Sequence, residues 1–259
     1  MEHGFLDQYS NVGSFMNRLD PRIKVVSLLA FIVCVVSTDT AAFAAFALYG
    51  FILAVLTVLS RIPIGYILKR MLVAAPFILM TALFIPFLQG KTVVHAFALG
   101  PVTLTVTREG LLIFWNVLAK ASLSLLCAIL MTATTGFPEL LKALEKLSCP
   151  QVVIMVLSFM YRYIFLVQDE FMKMQQAKES RSVGGPQWLH VRALAGMAGM
   201  LFIRSYERAE SVYLAMCSRG FSGRIQTFHH FQVTMKDAAF LLTIFVSLIG
   251  VRFLSAIHG

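Results

Sequence analysis

Residues 20–37 read D-P-R-I-K-V-V-S-L-L-A-F-I-V-C-V-V-S, and this stretch decides the fold. Asp20 is a good helix N-cap, and Pro21 suits the first helical position, where a missing N–H costs nothing. The apolar run Lys24–Ser37 then follows, with Pro21–Ile23 as its entry. Three residues later a second run, about Ala41–Ser60, begins, so the two form a tight helical hairpin across Thr38-Asp39-Thr40. Further runs occupy about Met71–Gln89, with Pro76 and Pro86, about Leu111–Thr135 and about Ala238–Ile257. Runs near 20 residues are the length at which a helix crosses a bilayer.

Composition agrees. The chain has 259 residues, 58% hydrophobic and 14% charged, with a mean hydropathy of +0.79. Soluble domains are nearer 45–50% apolar and about 25% charged. This balance excludes a soluble enzyme, a disordered chain, a disulfide-rich secreted domain and an ordinary nucleic-acid binder. Cys34, Cys127, Cys149 and Cys217 form no CxxC pair. Glu2, Asp7 and Asp20 interrupt the first 20 residues, which lack an apolar block, so a cleavable signal peptide is not expected. The expected fold is all-α, a polytopic membrane protein of five to seven spans with long cytoplasmic helices. The stretches Val152–Val167 and Leu189–Ile203, broken by Arg162 and Arg192, account for the range. With five spans and the N-terminus inside, eighteen Lys and Arg fall inside and three outside, which predicts an external C-terminus. The net charge of +9 is read the same way, as basic cytoplasmic loops rather than a nucleic-acid surface.

Three regions follow from this reading. Residues 1–135 form an N-terminal membrane domain of four spans, 136–237 a cytoplasmic helical region, and 238–259 a last span. The middle region is the informative one. Phe137–Leu147 is a short amphipathic helix with Pro138 at its start. Gln151–Arg181 reads as one long helix stopped by Gly184-Gly185-Pro186, and Trp188–Arg219 as a second stopped by Gly220 and Gly223. Both end on one pattern, Ser180-Arg181-Ser182 and Ser218-Arg219-Gly220. Each arginine is favoured there by the helix dipole. The turn should fold the second helix back across the first and hold the two arginines at separated tips. Two such tips suit a clamp on two copies of a partner, each guanidinium meeting carboxylates bidentately.

The residues offer little chemistry of their own. Gly90-Lys91-Thr92 completes half a phosphate loop, but position 85 is Ile85 where a glycine is required, so no ATP hydrolysis is expected. The histidines show no HxxxH or HExxH spacing; His229-His230 reads as a solvated pair, and His3 as a weak amino-terminal chelator. Lys120 is the one cation placed clearly within a span, with no second buried basic residue expected. Packing against a neighbouring subunit, or snorkelling, suits it better than ion relay. A self-contained secondary transporter or channel is the competing reading, and a membrane anchor a weaker third.

Leu19-Asp20-Pro21-Arg22-Ile23-Lys24, Thr134-Thr135 with Pro138-Glu139-Leu140-Leu141, Arg162-Tyr163, Arg204-Ser205-Tyr206-Glu207-Arg208-Ala209-Glu210 and Ala215–Phe221 together resemble the transmembrane T component of energy-coupling factor (ECF) transporters, over nearly the whole chain. The family's paired short motifs are usually x-R-G; the second is intact here, and the first carries Ser182 in place of glycine. Phe5-Leu6-Asp7-Gln8-Tyr9 resembles the cobalt/nickel branch, the CbiQ type. The resemblance implies a non-catalytic subunit of the bacterial inner membrane. Arg181 and Arg219, with Ser180, Ser182, Ser218 and Gly220, would dock on two cytoplasmic ABC-type ATPases that bind ATP and Mg. Asp20, Pro21, Arg22, Lys120, Pro138, Arg162, Arg204 and Arg208 would be structural or interface residues. It also implies a CbiM-like membrane S component and a small CbiN-like subunit. Cobalt is the first expectation for the substrate and nickel the second; the metal would bind the S component, so no cofactor is expected in this chain.

Overall fold

The computed structural model describes residues 15–39, 43–84, 93–99, 102–181, 187–223 and 234–258. His3, Phe5–Tyr9, Gly90-Lys91-Thr92, Ser182, Gly184-Gly185-Pro186 and His229-His230 lie outside the described residues. The order is α1 (Phe15–Arg18), α2 (Pro21–Val36), α3 (Phe43–Ser60), α4 (Ile64–Leu83), β1 (Val93–Leu99), β2 (Val102–Thr107), α5 (Arg108–Thr134), α6 (Phe137–Lys146), α7 (Gln151–Arg181), α8 (Gln187–Ser218) and α9 (Met235–His258). The protein is an all-α polytopic membrane chain; among the described residues the departure is the antiparallel β1–β2 pair, with Ala96 opposite Thr105 and Leu99 opposite Val102. Among the described residues four helices are long and apolar enough to cross a membrane by length and composition: Phe43–Ser60, Ile64–Leu83, Gly110–Thr134 and Gln151–Arg181.

Most expected boundaries hold within a few residues. The third run is the exception. Its helix starts at Ile64, directly after Pro63 in extended conformation, and ends at Leu83. It therefore takes in Lys69 and Arg70, expected in the preceding loop. Arg70 has partners there: its guanidinium lies 4.9 Å from the Tyr66 ring centroid and donates to Thr132 Oγ1 at 3.2 Å.

The chain divides into two compact units, residues 4–143 with 231–259, and residues 144–230 with the first three. In the first, α5 packs against α2, α3 and α4, and α2 also meets α9. Asp20 caps α2 as expected, its Oδ1 accepting from the Arg22 N–H at 3.0 Å, and Pro21 opens the helix. Val25, Leu28, Phe31 and Val35 are buried, at helical spacing along one stripe. Phe31 meets Tyr49 of α3 edge to face, with centroids 5.6 Å apart. On the opposite side Leu29 and Val33 are exposed, so apolar side chains lie on both faces of the helix.

Polar ties fix α2 at both ends. At the first, the Lys24 ammonium donates to the Thr134 carbonyl at the end of α5, at 3.0 Å. The Asp20 N–H donates to Asp237 Oδ1 of α9 at 3.0 Å, and Asp237 Oδ2 accepts from the Thr234 N–H at 2.8 Å. One carboxylate thus serves the starts of two helices. At the far end, the Lys120 ammonium of α5 donates to the carbonyls of Val36 (2.9 Å) and Thr38 (2.6 Å). Arg252 of α9 donates to the Ser37 carbonyl. These bonds make α5 antiparallel and α9 parallel to α2. Last-turn carbonyls lack helical partners, and a cation satisfies them while meeting the negative end of the helix dipole.

The Lys120 ammonium is held within its own chain by the carbonyls at the end of α2. One expectation is corrected here. A second basic residue is buried, since Lys24 is 1% exposed. Its aliphatic stem is covered by protein and its charge is drawn to the α5 terminus, with Glu139, Asp20 and Asp237 supplying favourable field.

Removing one partner of a buried charged network costs about 3–5 kcal/mol. Lys24→Ala should therefore lower the apparent melting temperature in detergent clearly more than Lys120→Ala, whose ammonium is part-exposed. An equal or reversed order would show that the buried tie is not the stronger one.

Candidate functional site

The two helix tips share one local chemistry. Ser180 Oγ donates to the Ala177 carbonyl at 2.9 Å, and Ser218 Oγ to the Ala215 carbonyl at 3.0 Å. Each hydroxyl is folded back onto its own helix, leaving the neighbouring arginine as the forward polar group. Arg181 is the last residue of α7, Arg219 follows the last residue of α8, and both are exposed. Among the described residues neither guanidinium pairs with a carboxylate.

The α8 tip has a built stop. Gly220 lies at φ +81°. Its N–H bonds the Cys217 carbonyl and the Phe221 N–H bonds the Met216 carbonyl, at 3.0 and 3.1 Å. This is the Schellman arrangement, and the left-handed residue it requires is the reason for glycine here. It sets Arg219 at the helix boundary with its carbonyl end closed.

The crossing of α7 and α8 places the tips. Arg204 of α8 forms an ion pair with Glu170 of α7, whose other oxygen lies 3.9 Å from Lys173. Arg181 lies eleven residues past Glu170 and Arg219 fifteen past Arg204, about 16 Å and about 22 Å of helix. The six peptide steps from Arg181 to Gln187 reach about 20 Å at most. That tether keeps the first half of α8 on the Arg181 side of the crossing, so Arg219 is on the other. The tips are then on the order of 35 Å apart.

From the crossing the helices diverge around a groove of about 1130 Å³. Phe159, Tyr163 and Leu166 form part of one wall, and Val212 and Met216 part of the other, with Phe221 beyond. Arg208 lines this groove and Arg162 is exposed on α7 outside the set that lines it. Asp20, Pro21, Arg22 and Lys120 belong to the other unit and to the ties of α2, while Pro138 is exposed in the first turn of α6. Sequence reading missed Glu170, Asp237 and the burial of Lys24. Among the described residues no group of three His, Cys, Asp or Glu is arranged to hold a metal ion.

Gly220→Ala should cost about 1–2 kcal/mol locally, because alanine is strained in the left-handed region, although no atom lies within 4 Å of the added Cβ. Faster amide hydrogen exchange confined to the last turn of α8 is the expected readout. Unchanged exchange there would mean that the stop does not depend on glycine.

The family model for the cobalt transport protein CbiQ matches residues 13–229. An uncharacterized protein of Methanocaldococcus jannaschii is 31% identical, covering 93% of this chain and 83% of its own length. The energy-coupling factor transporter transmembrane protein EcfT of Listeria innocua is 28% identical, over 86% of each chain. A putative fused cobalt transport protein CbiMQ of Methanocorpusculum labreanum is 28% identical over 52% of this chain and 22% of its own. A match over most of the chain, with the two arginine-tipped helices inside it, means that the protein belongs to the CbiQ family and is an energy-coupling factor transporter transmembrane (T) component.

Proposed function

We propose that this chain is the coupling subunit of an ATP-driven cobalt importer, passing the conformational change of two cytoplasmic ATPases to a separate substrate-binding S component. The observation that carries this reading is the pair of matched, exposed arginines on opposite sides of one helix crossing. Ser180, Arg181 and Ser182 form one docking tip, and Ser218, Arg219 and Gly220 the other. Each guanidinium enters a groove on one ATPase and meets carboxylates there, a geometry a lysine cannot reproduce. ATP and Mg bind in the ATPases, and the metal binds the S component.

Residues 1–135 serve as the membrane domain, 136–237 as the cytoplasmic coupling region and 238–259 as the closing span, with the N-terminus inside and the C-terminus outside. The fused CbiMQ relative supports a CbiM-like S component as the partner, and a small CbiN-like subunit completes the set. The cobalt name of the family supports cobalt as the substrate, with nickel as the alternative.

The test is the double variant Arg181→Ala with Arg219→Ala, co-expressed with the ATPases and the S component. Losing a buried charged contact at each dock costs about 2–5 kcal/mol, so ATP-dependent cobalt uptake should fall to background while membrane insertion is kept. Arg→Lys at both positions should recover only a part. Parental uptake in the double variant would refute the mechanism. Cobalt uptake by the chain alone in ATP-free liposomes would establish the self-contained transporter instead, and competition by nickel reports on the substrate.

A further inference from the structure

We infer that Glu170 and Arg204 are positioning residues that act as the pivot of the coupling helices, setting the angle at which α7 and α8 open. The inference rests on the coupling role proposed above. Three observations meet at this pair. First, the ion pair is between the helices, at side chains 31% and 50% exposed. Secondly, the residues lining the groove run from Met155 to Lys173 on α7 and from Leu201 onward on α8. Glu170 and Arg204 are among these lining residues, close to the end of the groove that Lys173 and Leu201 mark. Thirdly, the pair lies between the two arginine tips, so any change of angle there moves both the groove walls and the tip separation.

The lever arithmetic makes the position matter. The arm from Arg204 to Arg219 is about 22 Å, so a 10° turn at the pivot carries that tip about 4 Å. An exposed ion pair contributes little to stability, about 0–1 kcal/mol. Its effect here is geometric. It holds the apex together while the arms swing, and Lys173, 3.9 Å from the second oxygen of Glu170, keeps the carboxylate seated at that point. Without it the arms would slide instead of turning, and motion at the tips would no longer open or close the groove.

The experiment uses the full complex with its ATPases and S component, reconstituted in proteoliposomes. Glu170→Arg and Arg204→Glu are compared singly and together, with cobalt uptake and ATP hydrolysis measured on each. Each single reversal should lower uptake about tenfold or more while hydrolysis stays within about twofold, and the charge-swapped pair should regain at least about half, as a pairwise coupling demands. Glu170→Gln removes the charge at constant shape and gives the same comparison if a reversal fails to assemble. Parental uptake in the single variants, or a swapped pair no better than the poorer single, would overturn the pivot. A parent complex that lacks ATP-dependent uptake would instead overturn the coupling role on which it rests.

Discussion

An apolar medium gives a helix terminus no water to bond, so its open carbonyls and amides must be met by protein. That constraint acts at both ends of α2, which packs against α5 and α9. At one end Lys24 closes the α5 terminus and Asp237 joins the α2 and α9 starts. At the other, Lys120 and Arg252 close the α2 terminus itself. Apolar packing between these ends, through Phe31, Tyr49, Leu28 and Leu130, is not selective against lipid, which is as apolar as the core. The polar ties are what fix the register. They specify which helices neighbour α2, in which direction and at which height.

The second unit is built on the opposite plan. The helices α7 and α8 are each longer than any helix of the bundle, yet a groove lies between them beside the Glu170–Arg204 pair. Stiffness within each helix and looseness between them suit an element with two discrete arrangements, which is what mechanical coupling needs. The two units thus divide the work in physical terms. One is tied together through buried charge, and in the other the two long helices share an exposed ion pair.

Local signals carried most of the helical fold. The Asp20 cap, Pro21, the Thr38-Asp39 turn, Pro138 and Gly220 act on their immediate neighbours, so their consequences could be read from adjacent residues. The two arginine tips were legible for the same reason. Lys24 and Thr134 are 110 residues apart, and Glu170 meets Arg204 only because two helices cross. Those pairings depend on inter-helix register, which no window of sequence contains. The start of α4 was misplaced because Lys69 and Arg70 look like a loop until Tyr66 and Thr132 are seen to receive the arginine. The β1–β2 pair was a missed signal, not an invisible one. Val102–Thr107 reads V-T-L-T-V-T, a strict alternation of period two.

The shortness of α2 has a consequence for the surrounding lipid. Its 16 residues amount to about 24 Å of helix, against a hydrocarbon thickness of about 30 Å. The cations that close its far end cannot move outward without releasing the carbonyls they hold. As a membrane span, which its sequence predicts, α2 would compress the acyl chains beside it by several ångströms and favour thinner leaflets.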